Sequence, residues 1–248
     1  MTAGIPASRY ADRLARAAVA VREAGVRGLL IGVGPELEWL TGYDAKALER
    51  LTLLVLPARG DPAIVVLRLE VAAAEAALAI GEGAVRVLPW AETADPYDQV
   101  WEALPGESAT RLAVSDTLGA RFLLRLQATY PGAAFELAGG ILGALRRSRT
   151  RTRWSCCAPQ VPLPTGPSSA SRGRLVGRTE ADVAAEVRAR PVDEGHDSAS
   201  FWIVASGPRS ASPHHEPDDR DIVAGELLLL DIGGRRARLL LDITRTLW

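Results

Sequence analysis

Lysine is all but missing from this chain: Lys46 stands alone among 29 basic residues, the rest being arginine. With the abundant alanine and glycine, that bias reads as the product of a GC-rich genome. Cysteine is nearly as scarce. Its two copies, Cys156 and Cys157, are sequence neighbours, which excludes a disulfide framework and the spaced pairs of a zinc site. No apolar run approaches the ~20 residues of a membrane-spanning helix. The N-terminal stretch Met1–Arg13 lacks the apolar core of a signal peptide, so a cytoplasmic protein without a membrane partner is expected. Neither sign of charge dominates. The net charge of −1 gives no whole-molecule attraction to nucleic acid or lipid.

What is present is a globular composition, long enough at 248 residues for one large or two small domains. Leu14, Ala17, Ala18 and Val21 share one face of an expected helix over Tyr10–Ala24. Apolar runs predict strands at Leu29–Val33, Thr52–Pro57, Ala63–Leu67, Ala84–Leu88, Arg111–Val114 and Ala133–Leu137. Helices are expected at Val71–Ile80, Pro96–Leu104 and Ala120–Ala128. Strands alternating with helices argue an α/β layered domain over residues 1–140. It has no histidine, cysteine or acidic cluster of ligand spacing, so packing or oligomerisation is its expected role.

From Leu137 to Thr179 there is no acidic residue but eight arginines, the densest run being Arg146 to Arg153, followed by a proline- and serine-rich tract. By composition residues 141–175 are a linker. The arginines could instead hold phosphates, in which case association with nucleic acid would be salt-sensitive; the favoured reading has no nucleic-acid partner.

Residues 176–248 form a second domain. Thr179 is placed to cap a helix, with Asp182 three positions on and Ala181, Ala184, Ala185 and Val187 as its apolar face; Pro191 should end it. A strand from Phe201 leads to Ser206-Gly207 and then to Pro213-His214-His215. Leu227–Trp248 carries two apolar runs separated by Gly233-Gly234 and polar residues, which reads as a β-hairpin. If Asp231 and Asp242 face each other across it, two carboxylates meet on one buried face. Such a pair is costly unless a hard divalent cation neutralises it. The alternative is two strand-end aspartates, solvated or capping turns.

Asp231-Ile-Gly-Gly, followed eleven positions after Asp231 by Asp242-Ile-Thr244-Arg-Thr246, resembles the first metal-ligand pair of the pita-bread metallopeptidases. That family includes prolidase, aminopeptidase P and methionine aminopeptidase, with creatinase as a non-peptidase relative. The stretches Pro35–Tyr43, Gly177–Val187 and Val204–Arg220 are similar to it as well, although Arg209 stands where the family carries asparagine. The resemblance implies a creatinase-type N-terminal α/β domain followed by an incomplete pita-bread (α+β) domain. It implies a homodimer acting on a proline-containing peptide, through two divalent metal ions of Mn or Co type that hydrolyse the bond before proline. Asp231 and Asp242 would be metal ligands, with Thr244 supporting them. His214 would contact the substrate carbonyl or the tetrahedral intermediate, a task that suits imidazole because it exchanges protons near neutral pH.

The family's later histidine and two glutamates have no counterpart before Trp248. At most weak binding of a single ion and little or no activity are therefore expected of this chain. Ser148–Ala158 and Arg235–Leu241 depart from the family texture in a way that GC-rich codons read one base out of frame would produce, and a reading-frame slip is expected there. Two other readings stand beside the peptidase. One is a non-catalytic relative that dimerises or binds peptides; the other is a creatinase-like hydrolase of a small amidine or amide.

Overall fold

The structure, a computed structural model, describes residues 5–105, 111–147, 175–193, 195–236 and 239–248. Two compact units divide the chain between Ser148 and Arg149.

The N-terminal unit is built on a six-stranded sheet: β1 (Gly28–Gly32), β2 (Leu53–Pro57), β3 (Ala63–Leu67), β4 (Arg86–Trp90), β5 (Arg111–Val114) and β6 (Ala134–Leu137), in the order β4-β3-β2-β1-β5-β6. The β1–β2 and β2–β3 pairs are antiparallel; β3–β4, β1–β5 and β5–β6 are parallel. The three central strands β1 to β3 are buried along their whole length, which is why they read as unbroken apolar runs rather than alternating ones. Side chains on successive residues still go to opposite faces. Leu29 and Ile31, Leu54 and Leu56, and Ile64 and Val66 join one core. Leu30, Leu53, Val55 and Val65 join the other.

Helices α1 (Ala7–Glu23), α2 (Pro35–Thr41), α3 (Val71–Glu75), α4 (Leu78–Gly81) and α7 (Gly139–Arg147) contribute to the first core. Helices α5 (Tyr97–Glu102) and α6 (Ala120–Thr129) contribute to the second. The α/β layering expected from alternation is the observed architecture. One expected helix, Val71–Ile80, is two short ones, because Ala77 adopts an extended conformation with ψ of 132° between them. Residues 141–147, assigned to the linker by composition, belong to α7. Arg146 there pairs with Glu36, a nearly buried carboxylate of α2. Leu175, at the linker's other end, is buried in the core of the C-terminal unit. Residues 148–174 of that linker, with the Arg149–Arg153 run, the cysteine pair and the frame-slip segment Ser148–Ala158, lie outside the described residues.

The C-terminal unit has a three-stranded antiparallel sheet of β7 (Ser198–Ser206), β8 (Leu228–Arg236) and β9 (Leu239–Leu247), with α8 (Glu180–Asp193) packed against it. Leu228, Leu230 and Ile232 of β8, Val204 of β7, and Val183, Ala184 and Val187 of α8 form its core. Thr179 caps α8 as the sequence indicates: its Oγ1 accepts the Asp182 amide at 3.0 Å. Pro191, in contrast, does not end the helix, which runs on to Asp193. Its lost backbone bond is offset by burial against Gly234 and by its carbonyl, which accepts the His196 amide at 2.9 Å and contacts His196 Nδ1 at 2.9 Å. No described helix is long and apolar enough to cross a membrane.

Candidate functional site

The hairpin forms, but with a register that corrects the expected pairing. Gly233 and Gly234 are inside β8. Gly233 is required there for space, since a Cβ would stand 2.0 Å from the Phe201 ring. Asp231 is directly opposite Thr244, and Asp242 is opposite Gly233. The aspartates are therefore diagonal neighbours, not facing ones. Because positions two apart share a face, both carboxylates still project from the same side of the sheet, together with Thr244. The Thr244 hydroxyl donates to Asp231 Oδ1 at 2.7 Å.

The face is also not a buried one. The core side chains Leu230 and Ile232 point toward α8, so Asp231 lies on the opposite, open side. Asp231 is half-buried, while Asp242 and Thr244 are exposed. Even so, the two acids feel each other. Local desolvation, the Asp231 charge and a hydrogen bond with Asp231 all push the Asp242 pKa above the ordinary aspartate value. With Asp242 this exposed, the neighbouring carboxylate is the cause that matters. Two oxygen donors this close on one face suit a hard divalent ion as part of its coordination sphere. They do not make a site for two ions: among the described residues no group of three or more His, Cys, Asp or Glu is arranged to hold a metal. His214 is exposed, with no hydrogen-bond or ionic partner among the described residues, and does not join the aspartate pair in such a group.

The other face of the same sheet holds a cluster that sequence reasoning missed. Glu180, in the first turn of α8, has a fully buried side chain. Its Oε1 accepts the Ser206 amide at 2.7 Å and the Ser206 hydroxyl at 2.6 Å. Its Oε2 meets His215 Nε2 at 2.7 Å and Arg209 Nη1 at 3.2 Å. Arg209 also pairs with Asp218, and Arg220 bridges Ser206 Oγ to both Glu226 oxygens at 2.8 and 2.9 Å. Burial alone would raise the Glu180 pKa. The bonds from Ser206, His215 and Arg209 together outweigh it and hold the carboxyl below its ordinary value. A glutamate beginning a helix normally reads as a solvated, dipole-favoured acid. Only the approach of the Ser206-Gly207 turn, which local sequence does not specify, reveals its role. The network fastens residues 207–220, which carry His214, to the start of α8. The backbone bonds Glu180 N to Arg220 O and Ala181 N to Asp218 O, both 2.9 Å, add to it.

Comparison with known proteins agrees with this organisation. Residues 13–148 match the model of the Creatinase/Prolidase N-terminal domain, and residues 160–248 that of Metallopeptidase family M24. The probable dipeptidase PepE of Mycobacterium tuberculosis is 40% identical over 226 residues, which is 91% of this chain and 60% of that protein. The Xaa-Pro dipeptidase of Pyrococcus furiosus is 39% identical over 72 residues, 29% of this chain and 21% of that protein. Among solved structures, dipeptidase PepE from Mycobacterium ulcerans has a TM-score of 0.85 at 38% identity, covering 98% of this chain and 66% of that one. Prolidase from Thermococcus sibiricus has a TM-score of 0.82 at 25% identity, covering 96% and 65%. The chain thus spans about 60% of the length of the PepE proteins it resembles over most of its own residues. With a creatinase-type α/β domain leading into a partial pita-bread domain, the chain belongs to the creatinase/prolidase family of M24 metallopeptidases.

Proposed function

We propose that this chain is part of an Xaa-Pro peptidase machinery, in which Asp231 and Asp242 supply two carboxylate oxygens to a divalent metal site. The observation that carries this reading is the acid pair itself. Two carboxylates share an open face, and with local desolvation the Asp231 charge raises the Asp242 pKa, an arrangement that a cation relieves. When bound, ions of Mn or Co type would polarise a scissile carbonyl and make water a better nucleophile. The protein's own contribution is to orient. Thr244 fixes Asp231 through its hydroxyl, and the Glu180 network holds the loop from which His214 would reach a proline-containing peptide. The N-terminal unit has the role of mediating homodimer formation.

Two carboxylates bind one ion weakly and cannot organise a pair, so the 248-residue chain has little or no hydrolytic activity by itself. Mn²⁺ titration followed by the loss of the free-ion electron paramagnetic resonance signal tests the site. Weak saturable binding that disappears in Asp242→Asn is expected, and binding unchanged by that substitution sinks the assignment. A parallel assay with a Xaa-Pro dipeptide and Mn²⁺ should give no turnover; measurable hydrolysis would refute the claim of inactivity. A second reading is a non-catalytic relative that binds peptides. Metal-independent binding of a proline peptide would identify it.

A further inference from the structure

The open face of the C-terminal sheet is polar on one side and apolar on the other. Residues directly opposite each other share a face, so Phe201, Gly233 and Asp242 form one row across the three strands, and Ile203, Asp231 and Thr244 form the next. The β9 side of both rows is polar and the β7 side is apolar. Leu229, two positions before Asp231, extends the apolar side onto β8. Phe201, Ile203 and Leu229 are half-buried, and none of them belongs to the core shared with α8. The β7 strand bulges between Ala199 and Phe201, a device that re-aims the side chain beside it. Here it sends the Phe201 ring over Gly233, where a Cβ would stand 2.0, 2.5 and 2.6 Å from three ring carbons. The ring thus takes the place that a side chain at position 233 would fill. It lies one strand from Asp242 and one side-chain repeat, roughly 7 Å, from Asp231.

An aromatic ring laid across a mid-strand glycine stabilises a sheet, and that accounts for the pairing of Phe201 with Gly233. It does not account for Ile203 and Leu229 carrying the apolar strip along the same face beside Asp231. An apolar strip abutting a few polar groups is the make-up of a small-molecule site, where the polar groups fix orientation and the apolar wall takes the rest of the ligand. We infer that Phe201 is a specificity-determining residue. Its ring, with Ile203, receives an apolar side chain of the peptide whose polar group reaches the ion held by Asp231 and Asp242. The inference rests on the metal-site reading above and adds to it the residue that selects among peptides. A polar side chain of the same size gives up its water against the ring and gains no hydrogen bond there, so leucine is favoured over asparagine.

The test is fluorine NMR on the full chain made with 4-fluorophenylalanine. The chain has three phenylalanines, and the Phe201 signal is the one lost in Phe201→Leu. Titration with the dipeptides Leu-Pro and Asn-Pro in Mg²⁺ should shift that signal saturably, with Asn-Pro binding at least about fivefold more weakly. The same preference, read on the peptides by saturation-transfer NMR, should fall below about twofold in Phe201→Ala and be kept in part by Phe201→Leu. A role confined to covering Gly233 would lower the melting temperature of Phe201→Ala and leave the peptide ratio unchanged, which would overturn the inference. So would a Phe201 signal that moves equally with both peptides or with neither. Mn²⁺ separates this inference from the metal-site reading. Broadening of the Phe201 signal that disappears in Asp242→Asn, without a preference for Leu-Pro, rejects the apolar wall alone. A preference for Leu-Pro without Mn²⁺ broadening supports the wall and rejects the ion.

Discussion

Glu180 divides its two oxygens between two tasks. Oε1 receives both Ser206 donors, and Oε2 receives His215 and Arg209. Glu180→Gln can keep an acceptor toward Ser206 but turns an amide NH₂ toward two donors. We expect a lower melting temperature and faster hydrogen exchange across residues 207–220. Glu180→Ala, which strands the partners of a buried charge, should cost more, roughly 3–5 kcal/mol. The pH dependence has a definite sign. The folded Glu180 pKa lies below the ordinary 4.5, so its stabilisation is fully present above that value and is lost as pH falls through the folded one. Acid unfolding monitored by circular dichroism should lose this component in Glu180→Gln. Asp242 has the opposite sign. Its folded pKa is raised, so above the ordinary aspartate range it opposes folding, and protonation relieves the repulsion as pH falls through the folded value. Asp242→Asn should therefore melt slightly higher than the parent at neutral pH without metal, and the advantage should vanish in acid.

The secondary elements test how far sequence periodicity reaches. The strands of the N-terminal sheet were legible because uninterrupted apolar runs bounded by turn residues have few alternatives. The Thr179 cap was legible because its partner is three residues away. What escaped was decided by contacts distant in sequence. Pro191 stays helical because Gly234 and His196 pack around it, and no local rule contains them. The hairpin register escaped for a similar reason. A Gly-Gly pair between apolar runs signals a turn, but here Phe201 of β7 lies across Gly233 and demands a residue without a side chain in mid-strand. The observed register, with Arg236 opposite Leu239, puts Thr244 rather than Asp242 opposite Asp231. Gly233→Ala should cost about 1–3 kcal/mol in chemical denaturation. Adding Phe201→Ala should return part of that loss, giving a non-additive cycle; strict additivity would show that the ring contact is not the reason for the glycine. The family resemblance found Asp231 and Asp242 but not Glu180, because a buried carboxylate network has no spacing signature.

At the scale of the whole molecule, chemistry and support are distributed over two units that can be addressed separately. The acid pair belongs to the C-terminal one. Within the C-terminal unit a finer separation holds. The strands β7 to β9 present Asp231, Asp242 and Thr244 on one side and the Glu180–Ser206 bonds on the other. The sheet thus works as a bulkhead, with the open acid pair in one compartment and a locked polar joint in the next. Because no side chain is common to both, Glu180→Gln and Asp242→Asn should combine additively in stability, to within about 0.5 kcal/mol. Evolution could retune either compartment without reopening the other.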